Sequence, residues 1–239
     1  MKKIFVLMLL VALLLPQAIL ADAKVKRPLE KITFIHYKKG FIKPESAKPR
    51  PPKSDSCYGF ISGYARLLTT ADIYINPEGS GLDDWQVITG FASSTDAWDI
   101  KTTTDVFGVL TATTTASFDD YADGRNEIVF GVYPDSNVIA VTRVWGYFSG
   151  RPQSRFISQF DILFNTNYSW GDVAATGDTE LMDLENIAVH ELGHALGLND
   201  IYTASCQPVT MYGYASEGEV NKRTLEAPDI AGLQTLYGI

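Results

Sequence analysis

One cluster of residues in this chain has the types and spacing needed for metal chemistry. His190 and His194 are two of only three histidines in the sequence, and residues four apart on a helix project from the same face. Two imidazoles at this spacing can bind one zinc ion, at about 2.0–2.1 Å each. Glu191 follows the first histidine, where it can act on a metal-bound water without binding the metal itself. The spacing therefore predicts a hydrolytic zinc site.

A third ligand is expected shortly after the two histidines. Gly197 is typical of the left-handed residue that ends a helix, and the chain can then turn back so that Asp200 offers a carboxylate oxygen. Three protein ligands leave one position for water, which is typical of catalytic zinc, whereas structural sites usually have four ligands. The alternatives are an amphipathic helix with hydrogen-bonded core histidines, and an ordinary turn aspartate at position 200.

The elements that must position these residues follow from hydrophobic periodicity and turn residues. The motif itself lies on a predicted helix that starts after Thr179 or Asp183 and stops at Gly197. A last helix is predicted at 228–237. Earlier in the chain we expect a helix at 85–98 and strands at 72–76, 106–111, 127–133, 138–148 and 156–165. This order predicts an α+β fold, a twisted mixed sheet backed by two helices.

The N-terminus is typical of a secretory signal peptide over residues 1–23. Lys2 and Lys3 precede an apolar stretch at 4–15, and Ala21 and Ala23 then fit a small-x-small cleavage site. That stretch is too short to span a bilayer comfortably. We expect a secreted protein with no stable membrane association once the signal is removed, and the sequence does not indicate its oligomeric state.

Charge divides the remaining chain into two parts. Residues 24–56 carry ten Lys and Arg against three Asp and Glu, whereas residues 57–239 carry eight against 24. The first part is proline-rich and is expected to be a basic arm or a short pro-segment, in which 32–37 could add an edge strand. A solvated tail is the alternative. The acidic second part is expected to be the catalytic domain that holds the predicted zinc site, and its charge disfavours nucleic acid as a partner.

The motif resembles that of the metzincin clan of zinc endopeptidases, and most closely the matrixins. Further similarity lies in Val209–Tyr212, which resembles the Met-turn, and in 227–238, which resembles the closing helix. The resemblance implies a metzincin-like catalytic domain with an active-site helix, a Met-turn in which Met211 lies under the metal, and a C-terminal helix. It also implies that Glu191 activates the water and that proteins or peptides are the substrates. The third ligand of the clan is usually histidine, and Asp200 is similar to the minority with aspartate, such as snapalysin-like enzymes.

The resemblance also implies where a substrate would bind. Residues 138–142 resemble the edge strand that binds substrate antiparallel, which places Ile139 and Ala140 in the cleft. Tyr212 or Tyr214 could line a substrate pocket or stabilise the oxyanion, although an aromatic residue near a turn is more often part of the core.

One catalytic zinc ion is implied by the resemblance, and other metals are less well supported. Many matrixins bind a second, structural zinc through histidines, and Val141 and Gln159 stand at two of those positions. Asp161 matches a calcium-binding aspartate, but Phe164 stands where a second acidic ligand is expected. Calcium is therefore only partly supported by the sequence.

Cys57 and Cys206 leave two interpretations open. They can form a disulfide, as paired cysteines of exported proteins usually do, or Cys57 can occupy the open zinc position as a latency ligand. The Pro-Arg-Cys-Gly context of the matrixin pro-segment cysteine is missing. The alternative function is an exported zinc-binding module without proteolytic activity, in which Glu191 would have no use.

Overall fold

The computed structural model of the protein describes residues 27–41 and 56–239. The predicted signal peptide at 1–23 lies outside these ranges. Within them, no helix combines the length and the apolar character that a membrane crossing requires.

A single mixed sheet forms the centre of the fold. Its strands are β1 (Glu30–Lys38), β2 (Ala71–Asn76), β3 (Phe107–Ala112), β4 (Asn126–Gly131), β5 (Val138–Tyr147), β6 (Phe156–Asn165) and β9 (Tyr214–Ala215). They lie in the order β3-β2-β4-β6-β5-β1-β9. Strands β2, β3, β4 and β6 run parallel to one another, and β5 runs antiparallel to β6. Two short strands, β7 (Trp170–Gly171) and β8 (Met182–Asp183), form a separate parallel pair.

Helices α1 (Asp84–Asp99) and α3 (Leu184–Leu196) pack against each other and against the sheet. Helix α1 begins with a capping box. The Asp83 side chain accepts a hydrogen bond from the backbone N–H of Gln86, and the Gln86 side chain accepts one from the backbone N–H of Asp83. Trp98, near the end of α1, is fully buried and its indole donates to the carbonyl of Val189 in α3 at 2.9 Å. The remaining helices are the short α2 (Val173–Thr176) and the C-terminal α4 (Ala227–Tyr237). The predicted α+β fold is confirmed.

The sequence predicts at most an edge strand in the basic arm, but the structure places its strand between two others. Strand β1 lies inside the sheet, antiparallel to β5 on one side and parallel to β9 on the other. Residues 138–142 are therefore not a free edge, because β1 pairs along them from Glu30↔Gly146 to Tyr37↔Val138. The pairing joins segments more than 100 residues apart, and such contacts leave no signal in local periodicity.

Cys57 and Cys206 form a disulfide, with Cα atoms 5.4 Å apart and 149 residues between them in sequence. The bond ties the start of the range 56–239 to the loop that follows α3. Cys57 is thus held by Cys206 and does not stand at the motif histidines.

Candidate zinc centre

Helix α3 places the two motif histidines one turn apart and then stops sharply. Asp183 caps its start, since its side chain accepts from the backbone of Asn186 at 2.8 Å. Its end is fixed by Gly197, which has a φ of 107°. A Cβ at Gly197 would also lie 2.2 Å from the carbonyl oxygen of Ala65. Only glycine satisfies both the backbone angle and the close approach.

The turn after Gly197 brings Asp200 back to the histidines. Its Oδ1 atom lies 3.3 Å from Nε2 of His190 and 3.4 Å from Nε2 of His194. A tetrahedral zinc ion bound at about 2.0–2.1 Å requires ligand atoms about 3.3 Å apart. The carboxylate oxygen thus lies at the separation that one zinc ion needs from each histidine, and all three donor atoms lie within 4.8 Å of one another.

Backbone carbonyls fix the tautomers of both histidines. Nδ1 of His190 donates to the carbonyl of Thr210 at 2.7 Å, and Nδ1 of His194 donates to that of Leu198 at 2.9 Å. Nε2 is then the nitrogen of each ring that faces Asp200 and that would bind a metal, as in metal sites oriented by outer hydrogen bonds. Among the residues that the structure describes, Nε2 of His190 has no hydrogen-bond partner. Burial lowers the pKa of His190 to about 3, which keeps the ring in the neutral form that binds metal.

Asp200 is held as a carboxylate. Burial opposes this, but the contacts with His194 and His190 outweigh it and hold the pKa of Asp200 well below its usual range. The hydroxyl of Tyr202 donates to the second carboxylate oxygen, Oδ2, at 2.8 Å. One oxygen is thereby oriented by Tyr202 and the other faces the histidines.

Glu191 is fully buried and both of its oxygens have partners. Oε2 accepts from the hydroxyl of Thr142 at 2.5 Å, and Oε1 lies 2.9 Å from Nδ1 of His36. Burial raises the pKa of Glu191 to about 7. A carboxyl group with a pKa near neutrality can both accept and return a proton. Sequence reasoning missed Thr142, because a threonine on a strand carries no distinguishing signal.

Met211 packs against Gly193 of α3. It is fully buried, and a Cβ at Gly193 would lie 2.3 Å from its sulfur, so the glycine inside the motif makes room for it. The carboxylate of Asp229, in α4, accepts from the backbone N–H groups of Thr210 and Met211 at 2.9 and 3.2 Å. The C-terminal helix thus fixes the turn that also orients His190.

Strand β1 covers this centre. The ring of Phe34 stacks on His194 and the ring of His36 packs against His190, each at 4.0 Å between ring centres. Nε2 of His36 lies 3.2 Å from Nζ of Lys222, a buried lysine. The sequence offered one signal for His36, which is the only histidine outside the motif.

The predicted cleft residues lie around β1. Ile139 and Ala140 are buried in β5, and Ala140 pairs with His36. Tyr214 lies in β9, where it pairs with Tyr37, and the carbonyl of Tyr212 accepts from Lys222. Ile139, Ala140 and Tyr214 therefore lie on the strands that flank β1, and Tyr212 is linked to it through Lys222.

Asp161 lies apart from the zinc centre. Within the described residues, two clusters could hold a metal ion, and both contain His190 and neither contains Asp161. Burial raises the pKa of Asp161 to about 8. Phe164 is fully buried and packs edge-on against Phe91, so it belongs to the core.

Comparison with known proteins places this geometry in a family. Residues 95–238, more than half of the chain, match the family model described as matrixin. The chain belongs to the matrixin family. This matrixin is 43% identical over 60 residues to Metalloendoproteinase 5-MMP of Arabidopsis thaliana, a match that covers 25% of the chain and 16% of that protein. It is 38% identical over 79 residues to Metalloendoproteinase 1 of Glycine max, covering 32% of the chain and 25% of that protein.

A third relative is the Macrophage metalloelastase of Oryctolagus cuniculus, 46% identical over 52 residues that cover 22% of the chain and 11% of that protein. The matrixin thus spans a quarter or less of the length of these curated relatives. The similarity is local, and it supports the family without transferring any relative's substrate.

Proposed function

We propose that this matrixin is a secreted zinc-dependent endopeptidase. One observation carries the proposal: a buried carboxylate oxygen of Asp200 lies 3.3 and 3.4 Å from Nε2 of two buried histidines, beside the separate carboxyl group of Glu191. His190, His194 and Asp200 would hold the ion. When bound, zinc polarises a peptide carbonyl and lowers the pKa of a water molecule to about 7. The printed names of the relatives, two metalloendoproteinases and a metalloelastase, support the same class of activity.

Glu191 supplies the proton transfer in this proposal. Its carboxylate accepts a proton from the attacking water and then delivers it to the leaving amine. Thr142 holds Oε2 by a hydrogen bond of 2.5 Å, which leaves Oε1 as the oxygen that moves the proton. In the present structure that oxygen faces His36.

The substrate is proposed to lie along β5. A peptide in extended form can pair with the backbone of a strand, and the pairing holds it whatever its side chains are. Ile139 and Ala140 would face it from β5, and Tyr212 and Tyr214 from the opposite side. Strand β1 now has this position, and it runs antiparallel to β5 as the resemblance implies for a substrate.

Residues 24–56 are therefore proposed to be a pro-segment, and residues 57–239 the catalytic domain. While β1 is in place, Glu191 and both histidines are at most 1% exposed, so a substrate cannot reach them. Ion pairs add to the docking, with Lys31 on Asp120 and Lys38 on Glu217. Exposed pairs contribute little, so the backbone pairing and the stacked rings supply most of the stability. The full chain is then latent until β1 leaves.

The test compares Glu191→Gln with the parent chain, both carrying Phe34→Ala to loosen β1. We expect equal zinc content and a loss of about 10²- to 10⁴-fold in hydrolysis of an unfolded protein. Glu180→Gln, which removes the same charge from an exposed position shortly before α3, is the matched control and should retain full activity. Equal hydrolysis by the Glu191→Gln chain would refute the mechanism. Bound zinc with no hydrolysis in any chain would favour the non-proteolytic zinc-binding module.

A further inference from the structure

Lys222 is a buried lysine that the proposed proton transfer does not use. It is 1% exposed and lies on a single helical turn, Asn221–Arg223, close to α3. Its Nζ atom donates to the carbonyl of Tyr212 and lies 3.2 Å from Nε2 of His36. Lysine is almost never fully buried unless it has partners. Of the two partners named here, only His36 belongs to the segment that covers the zinc centre.

The ring of His36 therefore occupies a pocket with two different ends. Nδ1 faces the carboxyl oxygen of Glu191 at 2.9 Å, and Nε2 faces Nζ of Lys222 at 3.2 Å. The face of the ring packs against His190 at 4.0 Å between ring centres. A substrate side chain at this place must accept a hydrogen bond at the edge that faces Lys222, and it must leave Oε1 of Glu191 free to move the proton.

The direction of β1 shows which side chain of a substrate would enter this pocket. A peptide that replaced β1 along β5 would place one residue opposite Ala140, where His36 now lies. Residues on either side of that position point to the other face of the strand. The pocket therefore contacts one substrate side chain, the one at the position of His36.

We propose that Lys222 determines specificity, by selecting substrates whose side chain at the position of His36 ends in a neutral hydrogen-bond acceptor, as histidine and glutamine do. This inference rests on the proposed endopeptidase function. An aliphatic side chain leaves Nζ of Lys222 without that partner, which corresponds to a selectivity of about 10- to 100-fold. A lysine side chain is disfavoured as well, because it donates hydrogen bonds and has no acceptor when charged.

The first test uses the full chain, with β1 as the tethered occupant of the pocket. His36→Gln and His36→Met introduce side chains of nearly equal size and are compared in the parent and in Lys222→Met, all loaded with zinc. The unfolding equilibrium should favour glutamine over methionine at least tenfold in the parent, and methionine over glutamine in Lys222→Met. An unchanged preference in both backgrounds would overturn the proposal.

The second test measures substrate selection by the Phe34→Ala chain. The probes are peptides with the sequence of residues 30–38 in which glutamine, methionine or lysine replaces the residue at position 36. We expect kcat/KM for the glutamine peptide to exceed that for methionine about 10- to 100-fold, and this ratio to fall below one in Lys222→Met. Lys39→Met removes the same charge from an exposed position and should keep the parent ratio.

A structural role for Lys222 would slow all the peptides by one common factor, so an unchanged ratio in Lys222→Met overturns the proposal. Hydrolysis of none of the peptides contradicts the proposed function instead. In that case the unfolding comparison alone decides whether Lys222 selects the occupant of the pocket.

Discussion

Replacing Phe34 with alanine is expected to activate the chain by weakening the docking of β1. Phe34 is only 8% exposed, and its ring stacks on His194. Truncating a buried phenylalanine costs about 3–5 kcal/mol. Because this contact joins β1 to α3, we expect the free energy of docking β1 to weaken by about 3 kcal/mol of this cost. At about 1.4 kcal/mol per tenfold change, the fraction of molecules with an open cleft rises about 100-fold.

The assay is the initial rate of hydrolysis of a fluorogenic peptide by zinc-saturated protein, parent and variant side by side. The rate should rise about 100-fold, or until the open form predominates. Thr33→Ala is the matched control, since Thr33 is the exposed neighbour on the same strand and its truncation leaves the stacked rings in place. Thermal unfolding monitors whether the remainder of the domain stays folded.

Two outcomes would refute this reasoning. If the parent chain with β1 intact hydrolyses the peptide as fast as Phe34→Ala, β1 does not block the cleft. If Thr33→Ala activates as strongly as Phe34→Ala, the effect does not come from the contact with His194.

Three further predictions concern the rest of the domain. Replacing both Cys57 and Cys206 with serine should lower the free energy of unfolding by about 5 kcal/mol, because the disulfide closes a long loop and restricts the unfolded chain. Denaturant titration measures this difference. No change would show that the disulfide does not constrain the unfolded chain. The raised pKa of Asp161, about 8, means that the folded state favours the neutral acid, so stability from this group is present at low pH and lost as pH rises through about 8. Asp161→Asn should therefore gain stability relative to the parent between about pH 4 and pH 8 in the presence of a calcium chelator, and a constant difference across this range would contradict the assignment. Asp200→Asn should bind zinc at least tenfold more weakly in competition with a chelator, and unchanged affinity would remove Asp200 from the ligand set.

Much of this fold follows from local patterns in the sequence. The motif helix is predicted because its apolar residues keep helical spacing up to Gly197, and α3 ends there with a left-handed glycine. The strands 72–76, 138–148 and 156–165 are predicted within a residue or two of β2, β5 and β6. In each case the signal lies within a few residues of the element itself.

What the sequence could not show depends on contacts between distant segments. Thr142 and Glu191 are 49 residues apart, and His36 and Lys222 are 186 apart. Neither pair has a spacing that periodicity can detect. The pairing of β1 with β5 is missed for the same reason, since a short apolar patch in a basic segment fits an edge strand, a pro-segment or a tail equally well.

The most direct test of the central claim is a zinc titration of the metal-free Phe34→Ala chain, with peptide hydrolysis measured at each step. A site made by His190, His194 and Asp200 predicts a rate that rises in proportion to bound zinc and stops rising at about one ion per chain. Hydrolysis that persists without zinc, or full zinc binding without any hydrolysis, would contradict the claim that this matrixin is a zinc endopeptidase.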